Sequence, residues 1–148
     1  MPRYRRVNID GKSLFKTETR KTAAALLPGT FAVINASELF AQATAAAGRM
    51  YVIDCAHHEG LNIQDAVPAG HSAVGNYVEE GRELALLMPA GAYKKDDPVK
   101  LGSNGQAAKA TADTDSVIGY IQDTVTTTEA DFIRVRFRVG TVAAAPAP

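Results

Sequence analysis

The chain has 148 residues, of which 46% are hydrophobic and 22% charged, and its 16 basic residues balance its 16 acidic ones. This length and composition are typical of one globular domain with a packed core, and they exclude an intrinsically disordered chain. No apolar run approaches the roughly 18 residues of a membrane span, and the basic N-terminus has no apolar stretch typical of a secretory signal, so we expect a protein made in a cytosol.

The charges divide the chain into three parts. Residues 1–21 carry seven basic and two acidic side chains, a net charge of +5, so the remainder of the neutral chain carries −5. Residues 140–148, GTVAAAPAP, form a low-complexity end. We therefore predict a basic N-terminal arm over 1–21, a β-rich body over 22–139 and a flexible Ala/Pro tail over 140–148.

Proline and glycine mark turns at intervals along the body. Leu27-Pro28-Gly29-Thr30 fits a type II turn, because proline and glycine hold its two central positions. Val67-Pro68-Ala69-Gly70 and Met88-Pro89-Ala90-Gly91 both predict a proline corner followed by a glycine with positive φ. Ser103-Asn104-Gly105-Gln106 predicts a hairpin, because a type I′ turn requires positive φ at two successive residues.

The segments between these turns have the character of strands. Residues 30–34 and 49–54 are short and rich in β-branched and aromatic side chains. Residues 83–88 and 117–121 are apolar without alternation, which predicts central strands covered on both faces. In residues 131–139, DFIRVRFRV, apolar side chains alternate with three arginines, which predicts a half-buried strand with a cationic outer row.

Residues 37–48, SELFAQATAAAG, permit two interpretations. Ser37 is a suitable N-cap and Gly48 a suitable terminator of a short helix. Alternation around Leu39 and Phe40 instead predicts a strand returning from residues 30–34, and the strand-rich surroundings favour it. The predicted fold is therefore mainly β: an antiparallel β-barrel or sandwich of jelly-roll or Greek-key type, with an extended basic arm and at most one short helix.

The densest cluster of reactive side chains is Cys55 with His57 and His58. Zinc sites usually combine two separated pairs of Cys or His ligands, and outside this cluster the sequence offers only His71. Cys55 has no orienting third group of the kind that activates a thiol nucleophile. Residues 70–75 resemble a nucleophile elbow, but the second glycine stands one position too far along. We therefore predict no enzymatic activity and no catalytic, cofactor or metal site, and the role of this cluster stays open.

After the basic arm, seven segments follow in order: ALLPGTFAVIN, FAQATAAAGRMYVID, AVPAG, ELALLMPAG, DDPVKLGSNGQ, SVIGYIQD and DFIRVRFRV. Their turn punctuation and strand order resemble those of the small head decoration, or cement, proteins of tailed bacteriophages. The resemblance covers most of residues 22–139. It implies a β-rich body, homo-oligomers on local symmetry axes of the capsid, and no enzymatic activity.

We accordingly expect a capsid decoration protein that binds the outer surface of a phage head as a homodimer or homotrimer. It would stabilise the shell by bridging subunits of the major capsid protein, since each further contact of a symmetric oligomer is intramolecular. We expect assembly in the bacterial host cytoplasm, residence on the exterior of the virion, and no membrane partner.

The basic arm is the part that we expect to contact the capsid or a neighbouring copy. The candidate contact residues are its cations and aromatics, namely Arg3, Tyr4, Arg5, Arg6, Lys12, Phe15, Lys16, Arg20 and Lys21. The alternative is a nucleic-acid-binding accessory protein acting through the same arm. We disfavour it because the arm has only two aromatics to stack on bases and the body is acidic.

Overall fold

The computed structural model of the chain describes residues 2–7, 9 and 16–140. Over this part of the chain the regular structure consists of twelve strands and two single-turn 3₁₀ helices, His57–Glu59 and Ser103–Gly105. Within the same residues, no helix has the length and apolar character needed to span a bilayer. The prediction of a mainly β fold is confirmed.

The first sheet has five antiparallel strands in the order β1-β5-β4-β2-β3. They are β1 (Thr17–Lys21), β2 (Phe31–Ile34), β3 (Phe40–Gln42), β4 (Tyr51–Ile53) and β5 (Ser72–Tyr77). The sheet curls so that its two edges meet just beyond β1, where Thr22 forms a bridge with Phe40 and the Ala23 N–H donates to the Phe40 carbonyl over 2.9 Å.

The second sheet also has five antiparallel strands, in the order β6-β12-β10-β8-β9. They are β6 (Glu83–Met88), β8 (Pro98–Leu101), β9 (Ala107–Lys109), β10 (Val117–Ile121) and β12 (Asp131–Gly140), and β7 (Gly91–Tyr93) pairs separately with β11 (Val125–Thr127). Two packed sheets without a closed barrel make the fold a sandwich.

The main core lies between the two sheets. Phe31 and Val52 of the first sheet belong to the same buried cluster as Leu86, Ile133 and Phe137 of the second. The Phe31 and Phe137 rings meet edge to face, with their centroids 6.2 Å apart. Burying each such side chain contributes about 1.5–3 kcal/mol, so this layer holds the sheets together.

A second core fills the hollow of the curled first sheet. Phe40, Tyr51 and Ile53 are buried there with Ala73. The Phe40 and Tyr51 rings lie 5.4 Å apart, and Gly75 leaves the room that Phe40 needs, because a Cβ at Gly75 would lie 2.6 Å from Phe40 Cζ. The curl of the sheet thus depends on the Phe40 ring packing directly against the backbone at Gly75.

Most of the predicted turns are confirmed. Asn104 and Gly105 both have positive φ, and they connect β8 to β9 as the hairpin signal required. Gly29 and Gly70 also have positive φ. The prediction for Gly91 was wrong, because its φ is not positive and it instead begins β7.

The strand predictions need three corrections. Every residue of β6 is buried, yet β6 is an edge strand of its sheet. Its outer edge is covered by other segments, since the Ala85 N–H donates to the Val7 carbonyl and the Leu87 N–H to the Gly29 carbonyl. In β10 burial alternates, so only one face is covered. In β12, Val139 is 83% exposed, because it extends beyond the core.

The segment over residues 37–48 contains a strand and no helix. Only Phe40–Gln42 is extended and paired, as β3. The preceding turn is held by the Asn35 side chain, whose Oδ1 accepts from the backbone N–H groups of Ser37 and Leu39. Four strands were not predicted from the sequence, namely β1, β5, β7 and β11, and the last two have only three residues each.

Candidate interaction surface

The N-terminal segment is fastened to the body at Val7. This side chain is fully buried in the main core. Its backbone N–H donates to Asp54 Oδ1 over 3.3 Å, and its carbonyl accepts from the Ala85 N–H over 2.9 Å. Val7 therefore contributes both to the core and to the covering of β6.

A second fastening point lies at Lys16. The buried Arg82 side chain donates from Nη1 to the carbonyls of Lys16 and Tyr77, each over 3.0 Å. Arg82 Nη2 donates to Asn76 Oδ1, and Asn76 Nδ2 donates to Asp54 Oδ2 over 3.1 Å. Asp54 also binds Val7, so one polar network holds the arm at both points.

Four of the candidate contact residues have polar partners in their own chain. Arg3 and Tyr4 both reach Asp123, with Arg3 Nη1 at 2.8 Å and Tyr4 Oη at 3.1 Å from its Oδ2. The other two pairs are Lys16 with Glu79 and Arg20 with Glu18. Exposed pairs of this kind contribute about 0–1 kcal/mol each, so they position these side chains without preventing an outside contact.

The other candidates divide into two groups. Arg5, Arg6 and Lys21 are exposed and form no ion pair with any residue that the structure describes. We call these three residues the free arm cations. Lys12 and Phe15 lie outside the described residues.

The cationic outer row predicted for β12 is present. Arg134 and Arg136 converge on Glu83 of β6, with Arg134 Nε 3.0 Å from Oε2 and Arg136 Nη2 2.7 Å from Oε1. Desolvation raises the pKa of Glu83, but the hydrogen bonds and charges of the two arginines outweigh it and hold the pKa below its ordinary value. Arg138 is exposed and forms no ion pair within the described part of the chain.

The Cys55 region does not assemble a nucleophile. Burial, together with the neighbouring Asp54 charge, raises the pKa of the Cys55 thiol to about 12, and its Sγ lies 3.4 Å from the Arg5 carbonyl. His57 and His58 lie in an exposed 3₁₀ turn, while His71 Nδ1 contacts Glu59 over 3.0 Å. Among the described residues, no group of three or more potential metal ligands converges.

The basic side chains were predictable from the sequence, but their partners were not. The alternation in residues 131–139 was sufficient to find the arginine row, since it fixes which side chains share a face. Glu83 is far in sequence from the arginines of β12 that it binds, and the pairing of β6 with β12 brings them together. Asp123 is also far in sequence from Arg3, which lies in no strand. The buried position of Val7 had no signal of its own, because a single valine in a polar segment has no periodicity.

Comparison with known proteins gives one family and a similar fold. A family model described as XM1 gp53 minor capsid protein matches residues 2–137. Among solved structures, the chain is similar to the head fiber gp8.5 N base of bacteriophage phi29, with a TM-score of 0.57 and 11% sequence identity over 86% of this chain and 98% of that chain. At this identity the likeness concerns the fold. Comparison with curated proteins gives no sequence match.

Proposed function

Since the chain belongs to the XM1 gp53 minor capsid protein family and is thus a phage capsid-associated protein, we propose that it is a decoration, or cement, protein of the head. The single observation that carries the proposal is the family match over residues 2–137, which spans the arm and the body alike. In this proposal the chain binds the outer surface of the shell and works without catalysis.

The proposed mechanism is mechanical. Packaged DNA puts outward stress on the boundaries between capsid subunits. Once one protomer of a bridging homo-oligomer is bound to the major capsid protein, each further contact is intramolecular. Weak contacts then combine into a firm clamp. The sandwich supports such a role, because two sheets packed on one shared hydrophobic core form a body that resists deformation.

The proposed contact surface is the basic arm. The free arm cations are available for acidic groups on the shell or on a neighbouring copy, and Lys12 and Phe15 are proposed to join them. Because the arm is fastened at Val7 and Lys16, a contact made by these side chains transmits force directly to the sandwich. A loosely tethered arm would not do this.

Binding to purified heads tests both parts of the proposal. Heads from a phage disrupted in this gene are mixed with the purified protein, and bound protein is measured by co-sedimentation. The unaltered protein should bind saturably. Replacing both Arg5 and Arg6 by Gln should weaken binding by about tenfold, since each lost charge contact is multiplied over the copies of an oligomer.

The matched control replaces two exposed cations outside the arm, Arg49→Gln with Lys94→Gln, and it should leave binding unchanged. If the unaltered protein does not bind, the decoration role is wrong. If the arm variant binds as well as the control, the arm is not the contact surface. Sedimentation velocity of the free and the head-bound protein tests oligomerisation separately, and a monomer in both states would contradict the clamp.

A further inference from the structure

An open groove crosses the outer face of the second sheet at some distance in sequence from the arm. Its lining is dominated by polar and charged side chains, with three cations and a single carboxylate. The lining residues are Lys95, Asp96, Tyr120, Gln122, Arg136 and Arg138. We call this feature the cationic groove.

Paired strands β10 and β12 form the floor of the cationic groove. Tyr120 of β10 lies directly opposite Arg136 of β12, and Arg138 follows on the same face of that strand. The Tyr120 ring extends past Arg138 to Gly140, where an added Cβ would lie 1.8 Å from the phenolic oxygen. The absence of a side chain at Gly140 therefore leaves room for the Tyr120 hydroxyl.

Backbone hydrogen bonds place the wall of the groove. The Asp96 N–H donates to the Ile121 carbonyl over 2.8 Å, and the Ile121 N–H donates to the Asp97 carbonyl over 2.9 Å. The Lys95 N–H lies 3.4 Å from Thr124 Oγ1. These bonds hold the turn before β8 against the end of β10, so Lys95 is presented beside the arginines.

The charges of the groove are only partly balanced. Arg136 is shared with Glu83, but Lys95 and Arg138 form no ion pair with the residues that the structure describes. Within the same residues, the Tyr120 hydroxyl has no hydrogen-bond partner. Two unpaired cations and a spare hydroxyl in one groove can donate hydrogen bonds to carboxylates.

We propose that the cationic groove is a second docking surface of the chain, which takes a carboxylate-rich segment of another protein. Charge complementarity carries this proposal, because unpaired cations are concentrated here on a body that is otherwise net acidic. The identification of that protein as a head component rests on the proposed function. Nucleic acid fits less well, since the groove has only one aromatic side chain on which bases could stack.

A peptide titration tests the groove without any phage particle. The probe is a capped hexaglutamate peptide, and binding is followed by amide chemical shifts of the full-length protein. Shifts should be confined to residues 95–96, 120–122 and 136–138. Raising the NaCl concentration from about 50 to about 500 mM should weaken binding several-fold, since exposed charges are screened.

Charge reversal at the two unpaired cations gives the decisive comparison. Lys95→Glu with Arg138→Glu should lower the affinity for the peptide by about tenfold or more. The control, Arg49→Glu, reverses an exposed cation outside both the groove and the arm and should change the affinity by less than about twofold. Lys95, Arg138 and Arg49 form no ion pair within the described residues, so both variants should keep their melting temperatures.

Three results would overturn the proposal. One is absence of binding at about 1 mM peptide, because a groove with this many donors should bind the peptide with a Kd below that concentration. Another is equal binding by the Lys95/Arg138 variant and the control. The third is tighter binding of a six-nucleotide oligo(dT) than of the peptide, which would make the groove a nucleic-acid site. If the protein does not bind phage heads, the decoration role is wrong, but the peptide results still stand. The decoration role and the cationic groove can therefore be rejected independently.

Discussion

At the scale of single residues, Glu83 of the second sheet is a carboxylate that accepts hydrogen bonds from two arginines. It pairs with Arg136 directly across β6 and β12 and also accepts from Arg134, while its own side chain is only 11% exposed. A carboxylate in this position stabilises the fold only while it is charged, because a neutral group would accept weaker bonds from both arginines.

The expected consequence is a pH-dependent loss of stability in Glu83→Gln. The pKa of Glu83 is lowered in the folded state, so its contribution is present above the ordinary Glu pKa of about 4.3 and is lost as the pH falls through the folded value. We expect Glu83→Gln to lower the free energy of unfolding by about 1–3 kcal/mol at pH 7. Urea denaturation between pH 7 and pH 3 measures this, and a difference that grows on acidification would contradict the assignment.

Cys55 gives a second test at this scale. With its pKa raised to about 12, the thiol has almost no thiolate at pH 8 and lies buried beside the Arg5 carbonyl. We expect the native protein to react with a disulfide reagent at least about a hundredfold more slowly than the urea-unfolded protein. Equal rates would show an accessible, reactive thiol and would reopen the question of nucleophilic chemistry.

Part of this arrangement of charged side chains could be predicted from the sequence alone. The alternation in residues 131–139 identified the arginines of β12, because strand geometry fixes which side chains share a face. It did not identify Glu83 as their partner, since that pairing depends on a register between strands more than forty residues apart. Long-range pairs of this kind have no local signal.

At the scale of elements, the curled first sheet depends on Gly75 of β5. Its missing side chain leaves room for Phe40, and Tyr51 Cβ would lie 3.0 Å from a Cβ at this position. Both neighbours are fully buried, so neither ring has space to move away. No strand was predicted here, because Gly75 and Asn76 are both poor strand formers.

We expect Gly75→Ala to destabilise the protein by about 1–3 kcal/mol through overpacking. The matched control is Gly91→Ala in β7, where an added Cβ would lie 3.6 Å from the Tyr93 oxygen, an ordinary contact distance. The control should cost less than about 0.5 kcal/mol. Thermal or urea unfolding of both variants measures the difference, and equal stabilities would show that the curled sheet adjusts more freely than its packing implies.

Turn chemistry was the most predictable part of the fold. Asn104-Gly105 encodes its hairpin locally, because both residues tolerate positive φ. The register of β8 against β9 then follows from the turn. The burial of β6 could not be predicted in the same way, since the segments that cover its outer edge come from Val7 and Gly29.

At the scale of the whole molecule, the two sheets and the N-terminal segment act as one body. The network of Arg82, Asn76 and Asp54 joins the first sheet to the start of β6 and to the arm. Removing residues 1–21 would therefore remove β1 and the buried Val7 along with the arm's charges. Point substitutions of the free arm cations are the cleaner probe of the arm's role.

The central claim is that the chain is a structural component of the phage head, and quantitative mass spectrometry of purified particles tests it most directly. The account predicts that the chain co-purifies with intact particles through a density gradient, in a copy number that matches sites set by the symmetry of the shell. Particles that are complete and infectious but lack the chain would contradict it.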